Sequence, residues 1–310
     1  METIIVPLDG SKLAEQILPA ATLLARLLSA RVHLLRVIPD ADSYPVVADR
    51  AALYSFGEPT AADYSQEHAT VDRFYHYAES YLHDHALHLE NLGLTVTSEV
   101  SSGDPATSIG MCAAETPAAM IAMMTHGYSG IRRWTLGSIA SRVVHAATQP
   151  VFLMRSGEHE LSPDQPIKRI LLPLDGSPFS RAAIPLAVDI ARRTHAALTL
   201  LHVVTPVISY YPELYVVPET LARELCADAT ASLEQLAAEL QPVEVPITTM
   251  VVVGLTAEQI IDVAAQQQAD LIMMSTHGRS GIKRWALGNV ADKVLHASTT
   301  PLLLVRPDHE

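Results

Sequence analysis

Cysteine is almost missing from this chain: there are two in 310 residues, Cys112 and Cys226, in unrelated contexts and without CxxC spacing. That excludes a disulfide framework and a cysteine zinc site, and it suits a reducing compartment. Positive charge is scarce as well. Lys and Arg number 21 against 34 Asp and Glu, a formal charge of −13, so there is no footprint for general nucleic-acid binding. Long apolar runs are lacking too. The longest uncharged stretch, near 194–212, is broken by His195, His202, Pro206 and Pro212, so no membrane span is expected. The opening METIIVPLDG enters a strand-like run with no basic n-region, and a cytoplasmic protein is the expectation. Charged residues make up only 18% and hydrophobic ones 49%, which argues against disorder and for well-buried cores.

What is present is present twice. THGYSGIRRWTLGS at 125–138 returns as THGRSGIKRWALGN at 276–289, with ten of fourteen positions identical and both tryptophans included. VPLDGS at 6–11 returns as LPLDGS at 172–177, and LLRVIP at 34–39 as LLHVVTP at 200–206. Pro7 and Pro173, Pro19 and Pro185, and Val37 and Val203 share an offset of 166; from Gly103 and Gly254 onward it is 151. The first half therefore carries 15 extra residues between Val37 and Gly103. Two homologous domains follow, at 1–157 and 167–310, joined by a polar, proline-bearing linker at 158–166.

Each half alternates short apolar runs with helical patterns. TIIVPL, RVHLLRV, LTVTSEV, AAMIAMM and PVFLMR are the strand candidates of the first; RILLPL, LTLLHVV, PITTMVVV, LIMMS and PLLLVR are those of the second. Most are nearly continuous in apolar residues, as strands covered on both faces are. The βαβαβαβαβ order predicts an α/β fold of two tandem doubly wound parallel sheets with helices on both faces. Asp104-Pro105 and Ser177-Pro178 read as an N-cap followed by proline at the first helical position, and Thr256-Ala257-Glu258-Gln259 as a capping box.

In such a sheet ligands bind beyond the carboxyl ends of the strands, where strand order reverses. Two loops per half lie at that end: PLDGS after the first strand, and the repeated stretch after the fourth. These residues resemble the ATP-binding subgroup of the universal stress proteins in its tandem form. That subgroup carries glycine, two residues, glycine, nine residues, then glycine with Ser or Thr. Here Met124 and Ser275 stand at the leading glycine, followed by Gly127 and Gly137-Ser138 in one half and Gly278 and Gly288-Asn289 in the other.

The resemblance implies a five-stranded, adenine nucleotide alpha hydrolase-like sheet per domain, with ATP, with or without Mg²⁺, between the first and fourth strands. It implies Pro7, Asp9 and Val37, and again Pro173, Asp175 and Val203, around adenine and ribose. It implies Gly127, Gly137, Ser138 and Ile139, and Gly278, Gly288, Asn289 and Val290, at the phosphates. Family members usually pair two domains through their closing strands, so intramolecular pairing is expected, with a homodimer of the chain as a further expectation.

Physical chemistry supports the motif and also offers plainer readings. Glycine permits close backbone approach and positive φ, and Gly137 and Gly288 precede helical patterns whose N-termini attract anions. Arg132, Arg133, Lys283 and Arg284 in the spacers add counter-charge or form a solvated face. Ser138 and Asn289 are equally good as plain N-caps. Asp9 and Asp175 suit Asx turns. His126 and His277 serve the ligand or only the loop. The side chains of Met124 and Ser275 threaten to intrude, and Asn289 replaces a hydroxyl, so the first domain is expected to bind ATP at least as tightly as the second. The histidine-rich stretch 76–90 closes no ligand set. Aromatic residues at 44, 54, 56 and 64 suggest a lid or an interface.

No GxxxxGK[ST] loop is present and each site offers one obvious carboxylate, so the expectation is a nucleotide-binding regulatory protein, not an enzyme beyond slow ATP hydrolysis. An adaptor with degenerate nucleotide sites is the alternative. An ATP-dependent substrate-activating enzyme is a third reading, without an SGGxDS-like loop to support it.

Overall fold

The computed structural model describes residues 1–38, 61–125, 136–157, 161–205, 219–240, 244–276 and 287–307, with side chains from residue 73 in the first long helix and 221 in the second. The first half runs β1 (Thr3–Pro7), α1 (Lys12–Glu15), α2 (Leu18–Leu28), β2 (Arg31–Ile38), α3 (Ala61–Asn91), β3 (Val96–Ser102), α4 (Pro105–Glu115), β4 (Ala119–Met124), α5 (Ser138–Ala146) and β5 (Val151–Met154). The second runs β6 (Arg169–Pro173), a 3₁₀ turn (Phe179–Ala183), α6 (Ile184–Thr194), β7 (Ala197–Val204), α7 (Glu219–Leu240), β8 (Ile247–Val253), α8 (Thr256–Gln266), β9 (Leu271–Ser275), α9 (Asn289–Ala297) and β10 (Leu302–Val305).

The prolines that break the helical pattern do so for the same reason in both halves. Pro19 lies in the first turn of α2 and Pro185 in that of α6, where proline lacks only a hydrogen that would be unpaired anyway. Each helix is thus preceded by a separate short turn, α1 or the 3₁₀ segment, instead of one continuous helix.

All ten strands form one sheet in the order β3-β2-β1-β4-β5-β10-β9-β6-β7-β8. Pairing is parallel within each half, and the halves meet through an antiparallel β5–β10 pair with Phe152 opposite Leu303. Both of these side chains are fully buried. The expected internal pairing is therefore a merger of two five-stranded sheets. One hydrophobic core covers each face, and each is continuous across both halves: Leu24, Leu82, Ile190 and Leu233 belong to one, Ile109, Val143, Ile260 and Val294 to the other. Burial on both faces explains why the central strands read as unbroken apolar runs.

The cap assignments need correction. Asp104 does cap α4, accepting from the Thr107 amide at 3.0 Å with Pro105 next in the chain. Thr256 does not cap α8. Leu255 holds the N-cap position, and the Thr256 hydroxyl turns instead to Thr205 at 2.9 Å. Ser177 accepts from the Ser180 amide at 3.2 Å but sits one residue before Pro178, the residue that precedes the 3₁₀ turn. Ser138 and Asn289 are not caps either: Gly137 and Gly288 are, and neither helix has a side-chain cap.

Candidate functional site

In each half β1 or β6 neighbours the fourth strand of its own unit, while the chain first turns the other way, to β2 or β7. This reversal leaves a crevice at the carboxyl ends, and a cavity lies in each one. The first measures about 330 Å³ and is lined by Pro7, Asp9, Val37, Met124, Thr125, Gly137, Ser138 and Ile139 among others. The second measures about 770 Å³ and is lined by Pro173, Asp175, Val203, Ser275, Thr276, Gly288, Asn289 and Val290 among others. Every site residue expected from the sequence that is described lines its cavity. Gly127, Gly278, His126, His277 and the basic spacer residues lie outside the described residues, as does the aromatic loop.

The PLDGS loop explains the carboxylates. Asp9 Oδ1 accepts from the Ser11 amide at 2.9 Å and from its hydroxyl at 2.6 Å; Asp175 Oδ1 accepts from the Ser177 amide at 2.9 Å. These are Asx turns, and Gly10 (φ +85°) and Gly176 (φ +81°) supply their left-handed residue. Turn-making and cavity-lining thus fall to the same side chains.

Gly137 (φ −59°, ψ 143°) and Gly288 (φ −62°, ψ 144°) hold backbone angles open to any residue, so positive φ is not why glycine stands there. Their amides donate to Thr125 O at 2.8 Å and Thr276 O at 2.7 Å, closing the spacer excursion at the end of the fourth strand. The first intrahelical bonds run from Ser141 to Gly137 O and from Asp292 to Gly288 O. Helix geometry leaves the amides of Ser138, Ile139 and Ala140, and of Asn289, Val290 and Ala291, without intrahelical acceptors. All six residues line the cavities, so each cavity faces an uncapped helix N-terminus, an anion-attracting arrangement.

The two cavities differ for a reason the repeat makes visible. Buried Ala78 and Leu82 on α3 correspond to buried Ala229 and Leu233 on α7, keeping the 151-residue offset. By the same offset Tyr77 corresponds to Asp228 and Tyr81 to Ser232, while Arg36 on β2 corresponds to His202 on β7. The Arg36 guanidinium lies 4.7 Å from the Tyr81 ring centroid and 5.4 Å from that of Tyr77. Tyr81 donates to Glu15 at 3.3 Å, and burial followed by Glu15 pushes its phenol pKa up. In the second half His202, Asp228 and Ser232 line the larger cavity. An arginine and two tyrosines thus stand where the half with the larger cavity has three smaller side chains. No spacing motif marks these residues, although aligning the two copies identifies all six.

The rims differ as well. Arg142 on α5 grips Asp104 with both terminal nitrogens, one at 2.7 Å from Oδ2. Arg142, then Thr107, holds that carboxyl well below the ordinary range. Leu255 and Lys293 stand at the corresponding places of the second half. Met124 and Ser275, whose side chains were expected to intrude, are both buried and border the cavities without closing them.

No described helix is long and apolar enough to cross a membrane. A family model described as the universal stress protein family matches residues 1–155 and again 166–306. A universal stress protein of Mycobacterium tuberculosis is 31% identical over 216 residues, covering 69% of this chain and 70% of that one. Another, from Mycolicibacterium smegmatis, is 30% identical over 224 residues, covering 70% and 71%. Among solved structures, a universal stress protein from Archaeoglobus fulgidus matches 98% of each chain with a TM-score of 0.72 at 19% identity, a likeness of fold.

Proposed function

This chain belongs to the universal stress protein family in tandem form, and on that premise we propose that it is a regulatory protein of the stress response that binds an adenine nucleotide, ATP in the first instance. The observation that carries the reading is the uncapped N-terminus of α9, whose first three residues border a cavity of about 770 Å³ opposite the Asp175 turn. That volume falls within the usual range for small-molecule sites. Triphosphate belongs at the amides of Asn289, Val290 and Ala291, and the apolar wall of Pro173, Leu201 and Val203 suits a base. Asp175 and Asp228 give this cavity two carboxylates for a Mg²⁺ ion that would accompany the phosphates; the first cavity has Asp9. The proposal is one of binding with at most slow hydrolysis.

The cavity sizes argue against the order expected from Ser138 and Asn289. On this reading the second half is the stronger site, and the first, with the smaller cavity, is weak or structural. The first half alone would then act as an adaptor. Calorimetry of ATP with the full chain should give one tight site; Asp175→Ala should weaken it about tenfold, the scale of a lost charge-assisted contact, while Asp9→Ala leaves it. Absence of binding at millimolar ATP would overturn the proposal in favour of the adaptor.

A further inference from the structure

Three metal-ligating side chains converge on the first half, away from its nucleotide cavity. A ring nitrogen of His33 on β2, a carboxylate oxygen of Glu99 on β3 and Cys112 Sγ on α4 all lie within 4.8 Å of one another. They share the sheet face of Leu35 and Val37, and His33 precedes Val37 by four residues, roughly 13 Å along the strand.

The ring of His33 is already oriented. Its Nδ1 lies 2.8 Å from Thr97 Oγ1, directly across the parallel register. Its Nε2 is buried without a hydrogen-bond partner, although Glu99 Oε2 is only 3.5 Å away. In the tautomer that donates Nδ1–H to Thr97, the Nε2 lone pair and the Glu99 carboxylate face each other beside the Cys112 sulfur, an arrangement that a cation relieves.

The second half is an internal control. By the same offsets His33, Glu99 and Cys112 become Thr199, Met250 and Val263. There the polar groups satisfy one another: Thr199 Oγ1 meets Thr248 Oγ1 at 3.1 Å and Gln267 Oε1 at 3.0 Å, and Gln267 donates to Met250 Sδ at 3.6 Å. The duplicated scaffold does not need ligands at these positions, yet one copy carries three.

We propose that His33, Glu99 and Cys112 bind zinc at the outer edge of the first half's sheet. Nitrogen, oxygen and sulfur donors together suit Zn²⁺, with Thr97 fixing the imidazole as an outer-shell partner. Bond lengths of about 2.0–2.3 Å require the three groups to close by roughly an ångström. The partly exposed Glu99 leaves a fourth position to water. Binding converts the Cys112 thiol to a thiolate and releases its proton. This departs from the sequence expectation of no metal and no cysteine zinc site.

The test is titration of the full chain with Co²⁺ and with Zn²⁺ against a chromophoric chelator. One equivalent of Co²⁺ should produce a thiolate-to-cobalt charge-transfer band. His33→Thr and Cys112→Val, residues the second half already accommodates, should abolish the band and weaken Zn²⁺ at least about tenfold; Cys226→Ser should change neither. A wild-type chain without the band overturns the proposal, whether or not either variant folds. So does unchanged zinc affinity in both variants, which would place any bound zinc on the histidines of α3.

Discussion

Arg155 and Arg306 do the same thing in opposite directions. Arg155, just past β5, donates to His296 O at the end of α9 at 2.8 Å; Arg306, just past β10, donates to His145 O at the end of α5 at 2.9 Å. Each half thus places a cation at the carboxyl end of the other half's helix, where the dipole and the orphaned carbonyls favour it. Both guanidinium groups are partly stripped of water and have depressed pKa values through burial, and in each the Nε lacks a partner. Replacing either with alanine removes a charge-assisted bond across the seam, and unfolding midpoints in urea should fall by the equivalent of about 1.5–3 kcal/mol. Methionine should cost less than alanine at both places, because it keeps the buried stem.

Arg36 makes a prediction about stoichiometry. If its stack on Tyr77 and Tyr81 is what narrows the first cavity, giving the first half the second half's residues should open it. The triple variant R36H/Y77D/Y81S should raise the number of ATP molecules bound per chain from one to two in calorimetry. One molecule per chain in a folded triple variant would mean that the narrowing lies elsewhere.

Asp104 and Arg142 carry a pH dependence whose sign follows from the depressed carboxyl. A group with a lowered folded pKa contributes stability above its unfolded value, about 4 for aspartate, and loses that contribution as pH falls toward the folded one. The stability gap between the wild-type chain and Arg142→Ala should therefore be full at pH 7 and shrink below pH about 4. Carboxyl NMR should show Asp104 in the variant titrating closer to the ordinary range.

Leu255 marks the place where the second half lacks that cap. It sits at the N-cap of α8 with extended angles (φ −74°, ψ 119°) and is half exposed, so a carboxylate there gives up little burial. Leu255→Asp should stabilise the chain by about 1 kcal/mol, the usual worth of a cap, read as a higher melting temperature. An unchanged or lower value would mean that Leu255 packs more tightly than its exposure indicates.

Much of this architecture is legible in the sequence because it rests on long-range patterns written twice. Central strands declare themselves by continuous apolar runs, and Pro19 and Pro185 locate the breaks before α2 and α6. Asp9, Asp175, Gly137 and Gly288 come from the family resemblance, on the two repeated loops at the strand ends. What was misread turns on small energies or distant partners. Thr256 looks like a cap until its hydroxyl meets Thr205, 51 residues earlier. Ser138 and Asn289 read as caps one residue off, since Gly is itself an acceptable cap and the preferences differ by only about a few tenths of a kcal/mol. His33, Glu99 and Cys112 come from three elements, so no spacing rule unites them.

Gly288 separates the two meanings of its motif. Its backbone angles admit any residue, and the amides beyond it have no side-chain cap. A serine there suits the backbone angles and would place a hydroxyl over the amide of Val290 or Ala291, satisfying an orphan donor of the helix. Gly288→Ser should therefore raise stability slightly, by a few tenths of a kcal/mol, as measured by thermal melting. It should also weaken ATP, because the hydroxyl takes the hydrogen and the space that a phosphate oxygen needs. Stability and affinity should move in opposite directions. Were both to fall, glycine would be required by the fold itself, and the argument from an open helix end would fail. Were affinity unchanged in a stabilised variant, the phosphates would have to lie elsewhere in the cavity.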